Sequence, residues 1–195
     1  MKKYWVIFGG IVLLIIIVVF CRDMPWRVPT DYAIEFNYDL NQNQKPETYS
    51  LKNNILTITE KKKILWQTPA EWHVDDVILA DSNNDQKIEI NLLVWKPGNY
   101  GASRPFWETK NDQEIKNHFF LFTLENNQVK SLWQSSNLDK PNCSAQIKDI
   151  DDDGKNELIV LEGEYGKPYF CQPKYQAVWK WHEWGFYLEN RLEIL

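Results

Sequence analysis

The sequence predicts an all-β chain of repeated four-stranded sheets, propeller-like, behind an N-terminal transmembrane helix. Three observations carry this. An Asp-rich loop recurs: Asp149, Asp151, Asp153 and Glu157 have counterparts at Asp81, Asn83, Asp85 and Glu89, an offset of 68 residues (149 less 81). Two words keep step with the loop. LWQ stands at residues 65–67 and 132–134, and GxYG at 98–101 and 163–166. The segments between these words are short, rich in apolar, β-branched and aromatic residues, and punctuated by Asn, Lys and Gly turns, as strands are.

The bounds come from composition. The chain has 195 residues, enough for one domain with a real core. Aromatics make up 14% of it, ten of them Trp, which points to aromatic packing or binding surfaces. A net charge of −5 argues against a nucleic-acid partner, because phosphate binding needs a basic face.

The N-terminus comes first in order. Lys2 and Lys3 precede an uncharged, mostly Ile/Val/Leu run over residues 4–21. As helix, that run rises roughly 27 Å, close to a bilayer core. No small-x-small cleavage site follows it, so the expectation is an uncleaved anchor (residues 1–21) with the chain beyond it outside the membrane. The residues before Cys21 are Val18-Val19-Phe20, without the small residue of a lipobox; cleavage or lipidation is the alternative. A linker over 22–30 then leads into the repeat domain.

Each unit is expected to run strand, acidic loop, strand, excursion, hairpin. The units cover about 31–70, 71–138 and 139–195. Residues 118–133 form a hairpin with its tip at Glu125-Asn126-Asn127, and residues 54–67 one with a Lys-rich tip at Lys61, Lys62 and Lys63. Helix is sparse, with one short turn expected over 111–117. A weaker copy of the loop opens the first unit, with Asp39, Asn41, Asn43 and Glu47. Four strands per repeat is the sequence form of a propeller blade, and three units fall short of the four usual for a closed ring. An open arc, completion by irregular segments and pairing with another chain all remain.

The loop D-x-D-x-D-G-x-x-E opening a strand, repeated over residues 32–191, resembles the FG-GAP and VCBS-type repeats of integrin-like β-propellers. The Phe-Gly and Gly-Ala-Pro words of the first family are missing. The resemblance implies blades whose acidic loops bind Ca²⁺ and whose surface serves adhesion or ligand binding.

The residues support the same metal on their own. Ca²⁺ takes six to eight oxygens, and alternate side chains in a tight loop aim at one centre. An EF-hand is excluded, because position 12 is Val160 and an apolar, strand-like run follows. The expected ligands at the later loop are Asp149, Asp151, Asp153, Glu157 and the Lys155 backbone carbonyl; at the earlier loop they are Asp81, Asn83, Asp85 and Glu89. The competing account is a turn whose Asp and Asn side chains cap local amides, and for the loop at Asp39 that account is preferred.

Beyond the anchor segment, the cysteines are Cys143 and Cys171. Outside the cytoplasm they would close a 28-residue loop (171 less 143) or remain two separate buried thiols. The GxYG words lead into aromatic excursions, where Tyr100, Trp107, Tyr165 and Tyr169 are candidates to stack on a glycan or grip a peptide; packing between sheets is the preferred role for such rings. His73, His118 and His182 are far apart in sequence and show no two-His metal spacing. Asp75-Asp76 and Glu162/Glu164 are the carboxylates a glycosidase would need. Two functions follow. The first is a membrane-anchored, calcium-stabilised extracytoplasmic binding or adhesion module with a protein or glycan ligand. The alternative is an envelope polysaccharide hydrolase. The lack of a concentrated catalytic motif favours the first.

Overall fold

The structure is a computed structural model that describes residues 33–99, 106–107 and 112–194. The expected anchor and linker lie outside the described residues, as does Tyr100. Among the described residues no helix is long and apolar enough to cross a membrane. These residues are all-β, in three antiparallel four-stranded sheets taken in chain order. Sheet 1 holds β1 (Ile34–Tyr38), β2 (Glu47–Lys52), β3 (Ile55–Glu60) and β4 (Lys63–Gln67). Sheet 2 holds β5 (His73–Ala80), β6 (Glu89–Pro97), β7 (Ile115–Glu125) and β8 (Gln128–Gln134). Sheet 3 holds β9 (Asn142–Lys148), β10 (Glu157–Glu162), β11 (Tyr175–His182) and β12 (Gly185–Glu193). Strand β7 begins at Ile115, so the short helical turn expected over 111–117 gives way to strand from there on.

Local sequence sets the hairpins. Asn53-Asn54, Lys61-Lys62 and Asn126-Asn127 all have positive φ at both turn residues. That is the two-residue turn whose twist matches the flanking strands, and Asn tolerates it best among non-glycine residues. The Lys pair adopts it at a cost.

Packing puts sheet 2 in the middle. Tyr49, Leu51, Leu56 and Ile58 of sheet 1 share one core with Val74, Ile90, Leu92, Val94, Phe120 and Phe122 of sheet 2. Leu93, Phe119 and Leu121 point the other way, into a second core with Ala145, Leu158, Val160 and Ala177 of sheet 3. Burial on both faces explains why β6 is a continuous run, buried from Glu89 to Lys96, rather than an alternating one.

The LWQ words belong to this packing. Each lies on the last strand of its sheet. Trp66 of β4 meets Phe122 of sheet 2 at 5.0 Å, and Trp133 of β8 meets Phe186 and Trp181 of sheet 3 at 5.6 and 6.0 Å. The word recurs because each sheet presents one Trp to the next, and such ring pairs add to the energy of buried area.

Cys143 and Cys171 form a disulfide, with their Cα atoms 5.1 Å apart. It ties the start of β9 to the excursion between β10 and β11. Gly163 lies against it. A Cβ there would stand 2.6 Å from the Gln172 carbonyl oxygen and 3.0 Å from the Cys171 sulfur.

Candidate metal centre

The three acidic loops occupy one structural position, the turn between the first and second strands of each sheet. Their internal hydrogen bonds repeat. The first side chain of each accepts from the backbone N–H of the sixth residue: Gln44 to Asp39 at 2.8 Å, Gln86 to Asp81 at 2.8 Å, Gly154 to Asp149 at 2.9 Å. The third accepts from the fifth: Asn43 to Asn41 at 3.0 Å, Asp85 to Asn83 at 2.9 Å, Asp153 to Asp151 at 3.3 Å. The fifth accepts from the seventh, including Lys155 to Asp153 at 2.8 Å. The ninth, a buried Glu that opens the second strand, reaches back to the N–H of the second residue: Leu40 to Glu47, Ser82 to Glu89, Ile150 to Glu157. The fourth and sixth residues all have positive φ. Gly154 takes the sixth position freely, whereas Gln44 and Gln86 hold it with a Cβ (φ 66 and 69).

This geometry gathers oxygens. One carboxylate oxygen each from Asp81, Asp85 and Glu89 lie within 4.8 Å of one another, and so do those of Asp149, Asp151 and Asp153. Both groups can hold a metal ion. The Asn83 side chain sits in the loop at Asp81, with its oxygen on the Asp85 amide. Lys155 has an exposed side chain and its backbone N–H turned to Asp153.

Each of the two loops leaves one buried carboxylate oxygen without a partner, Glu89 Oε1 in the earlier and Asp149 Oδ1 in the later, and they differ in the cation beside them. Glu89 is 1% exposed. Its Oε2 accepts from the N–H and hydroxyl of Ser82 at 2.8 and 3.1 Å, while its Oε1 is buried without a partner. Burial pushes the Glu89 carboxyl up from its ordinary range against the hydrogen bonds of Ser82, and the charges of Asp81 and Asp85 push it further. A buried acceptor without a donor costs about 1–3 kcal/mol, and a cation in the loop would supply what is missing. In the later loop, Lys180 of β11 brings its Nζ to 2.8 Å from Asp151 Oδ2 and 3.8 Å from Glu157 Oε1. That hydrogen bond holds the Asp151 carboxyl below its usual range.

The two loops also touch. The Asn156 N–H donates to Asn84 Oδ1 at 2.7 Å, Asn84 Nδ2 donates back to the Asn156 carbonyl at 3.2 Å, and Asn156 Nδ2 donates to the Asp81 carbonyl at 2.7 Å. No local pattern signals this clasp, because it joins residues 72 to 75 apart.

The aromatic candidates separate. Tyr165 is half-buried and pinned. Its hydroxyl donates to the Leu138 carbonyl at 2.8 Å and accepts from the Asn117 N–H at 3.3 Å, and its ring lies 6.0 Å from that of Trp95. Tyr169 is 45% exposed and stacks on His73 at 4.5 Å. Trp107 is exposed, edge-on to Phe106 at 4.7 Å. A cleft of about 400 Å³ that the aromatic words did not indicate is lined by Trp133, His182, Trp184, Phe186 and Tyr187. The signal for it was the run of aromatics around His182.

The carboxylates posed for hydrolysis have structural partners. Asp75 accepts from Trp95 Nε1 at 2.7 Å and lies 3.3 Å from His73. Asp76 accepts from the Val77 N–H. Glu162, 1% exposed, pairs with Arg191 and accepts from Trp179 Nε1, and Glu164 pairs with Lys140. No family model, curated protein or solved structure matches this chain.

Proposed function

We propose that this chain is a membrane-anchored, extracytoplasmic binding or adhesion module of FG-GAP/VCBS type, stabilised by Ca²⁺ in its acidic loops. The observation that carries the metal is the buried, unpartnered Oε1 of Glu89 beside Asp81 and Asp85. All-oxygen donors in a loop of carboxylate, amide and backbone groups suit a hard cation of the size of Ca²⁺. The Cys143–Cys171 disulfide supports an oxidising compartment, and the Lys-flanked run 4–21 supports an anchor. A rigid sheet scaffold with exposed rings at Trp184, Trp107 and Tyr169 supports binding of a glycan or a protein ligand through stacking.

The test is thermal unfolding of the full chain in EDTA and in several millimolar Ca²⁺, beside Glu89→Gln. Binding to the folded state alone stabilises it by RT ln(1 + [L]/Kd), about 1 kcal/mol for a millimolar site and about 2.7 kcal/mol at a hundredfold excess over Kd. Wild type should gain a higher midpoint with Ca²⁺ and the variant should not. A wild-type midpoint indifferent to Ca²⁺ would leave these loops as hydrogen-bonded turns.

A further inference from the structure

The residue that faces each loop's buried Glu across the sheet follows from the strand register. Glu157 on β10 pairs with Lys180 on β11. On sheet 2, Ile90 pairs with Phe122, which sets Glu89 opposite Thr123. On sheet 1, Thr48 pairs with Thr59, which sets Glu47 opposite Glu60. One structural position therefore carries a cation, a neutral hydroxyl and an anion in three otherwise parallel loops. Of these three facing residues, Lys180 alone sets an ammonium against loop carboxylates, at 2.8 Å from Asp151 and 3.8 Å from Glu157. Opposite Glu89 stands Thr123, with no charge, and there the buried oxygen of Glu89 lacks a partner.

From this we infer that the loop at Asp149 carries its own tethered cation, Lys180, and that the diffusible divalent ion belongs to the loop at Asp81. The inference rests on the calcium reading above and assigns the ion between its two loops. The physical ground is competition. Lys180 satisfies Asp151 and lowers the negative potential that would draw an ion. A divalent cation at that loop must displace the ammonium or sit beside it, and either lowers its affinity. At the loop at Asp81 the ammonium in reach is that of Lys87, exposed and 4.0 Å from Asp85, a far weaker competitor than one at 2.8 Å, and a ligand from solution would answer the orphaned Glu89 oxygen. The loop with more aspartates also keeps a buried, unpartnered oxygen, Asp149 Oδ1, yet it is the weaker metal site because Lys180 competes there for Asp151 and Glu157.

Calorimetric titration of the full chain with CaCl₂ decides it. Wild type should bind one ion, and Glu89→Gln should lose that binding. Lys180→Thr places the sheet 2 residue at the sheet 3 position and should bind two ions, or strengthen a weak second site at least tenfold. Adding Asp151→Asn to Lys180→Thr should return the stoichiometry to one. Lys180→Arg, which keeps the charge, should behave as wild type and so separates charge from any general disturbance of β11. Equal binding at two sites in wild type, or a Lys180→Thr variant that titrates as wild type does, would overturn the assignment while leaving calcium binding intact. No heat from any of the proteins, with no change in midpoint, would remove the calcium reading and this inference together.

Discussion

His118 is buried completely at the start of β7, and its titration should be visible in the stability of the whole domain. Its Nδ1 lies 3.3 Å from the Ser135 carbonyl oxygen, its Nε2 has no partner, and the Phe120 ring is 5.3 Å away. Burial, followed by the charge of Lys96, pushes its pKa down from 6.5 to about 4, against the backbone acceptors at Ser135 and Ser136 and the charge of Asp112. The unfolded chain therefore binds a proton near pH 6.5 that the folded chain refuses until about pH 4. Stability rises with pH wherever the unfolded state holds more protons, so this group costs stability as pH falls through that window. The slope approaches 1.36 kcal/mol per pH unit, and the full window is worth about 3 kcal/mol.

The perturbation is His118→Gln, which keeps a polar side chain and removes the titration. Urea unfolding of both proteins in metal-free buffer, at steps from pH 7 to pH 4, supplies the stabilities. The variant starts lower at neutral pH because a ring is lost from a filled site. The informative quantity is the difference between the two curves. It should shrink by about 3 kcal/mol from pH 7 to pH 4, since wild type alone pays the cost of keeping its imidazole neutral. The titrations of other carboxylates are common to both chains and cancel. Parallel curves would show that His118 is not held neutral in the fold, and the reasoning from its burial would fail.

Three further outcomes are expected. Replacing Cys143 and Cys171 together by Ser should lower stability by about 3.5 kcal/mol, the chain-entropy value for a 28-residue closure, read from the shift in urea midpoint at constant slope. Gly163→Ala should destabilise by about 1–3 kcal/mol, because its Cβ would stand 2.6 Å from the Gln172 carbonyl oxygen; the same midpoint measurement checks it, and no effect would mean the strand start at Cys143 and the excursion can separate freely. Lys62→Gly should raise the thermal midpoint, by removing a positive-φ side chain at 68° worth about 1 kcal/mol.

The fold was legible where its signals were local or repeated. The two-residue turns at 53–54 and 126–127 announce themselves as Asn pairs, and the period of the loop gives the number of sheets. The sequence also presents LWQ as a marker without showing its use. A Trp on the outermost strand of one sheet acts on the sheet that follows, so its role depends on sheet order, which no local pattern encodes. The double-sided burial of β6 was visible as a continuous apolar run, yet such a run has the same appearance in any fully buried strand.

The candidate site was legible along the chain and hidden across it. Positions 1, 3, 5 and 9 of the loop lie within nine residues, so spacing alone predicts that their oxygens converge; they do at Asp81, Asp85 and Glu89, and at Asp149, Asp151 and Asp153 without Glu157. What decides where an ion would sit comes from strands far away in sequence. Lys180 reaches Asp151 from 29 residues on, and it does so because strand register sets it opposite Glu157. Counting aspartates ranks the Asp149 loop first. Each loop keeps one buried, unpaired oxygen, and what ranks the Asp81 loop first is that its neighbouring ammonium, Lys87, stands off at 4.0 Å whereas Lys180 closes on Asp151 at 2.8 Å. The difference between the two rankings is one lysine on a neighbouring strand. A strand's position in a sheet, and not its distance along the chain, determines which charges meet.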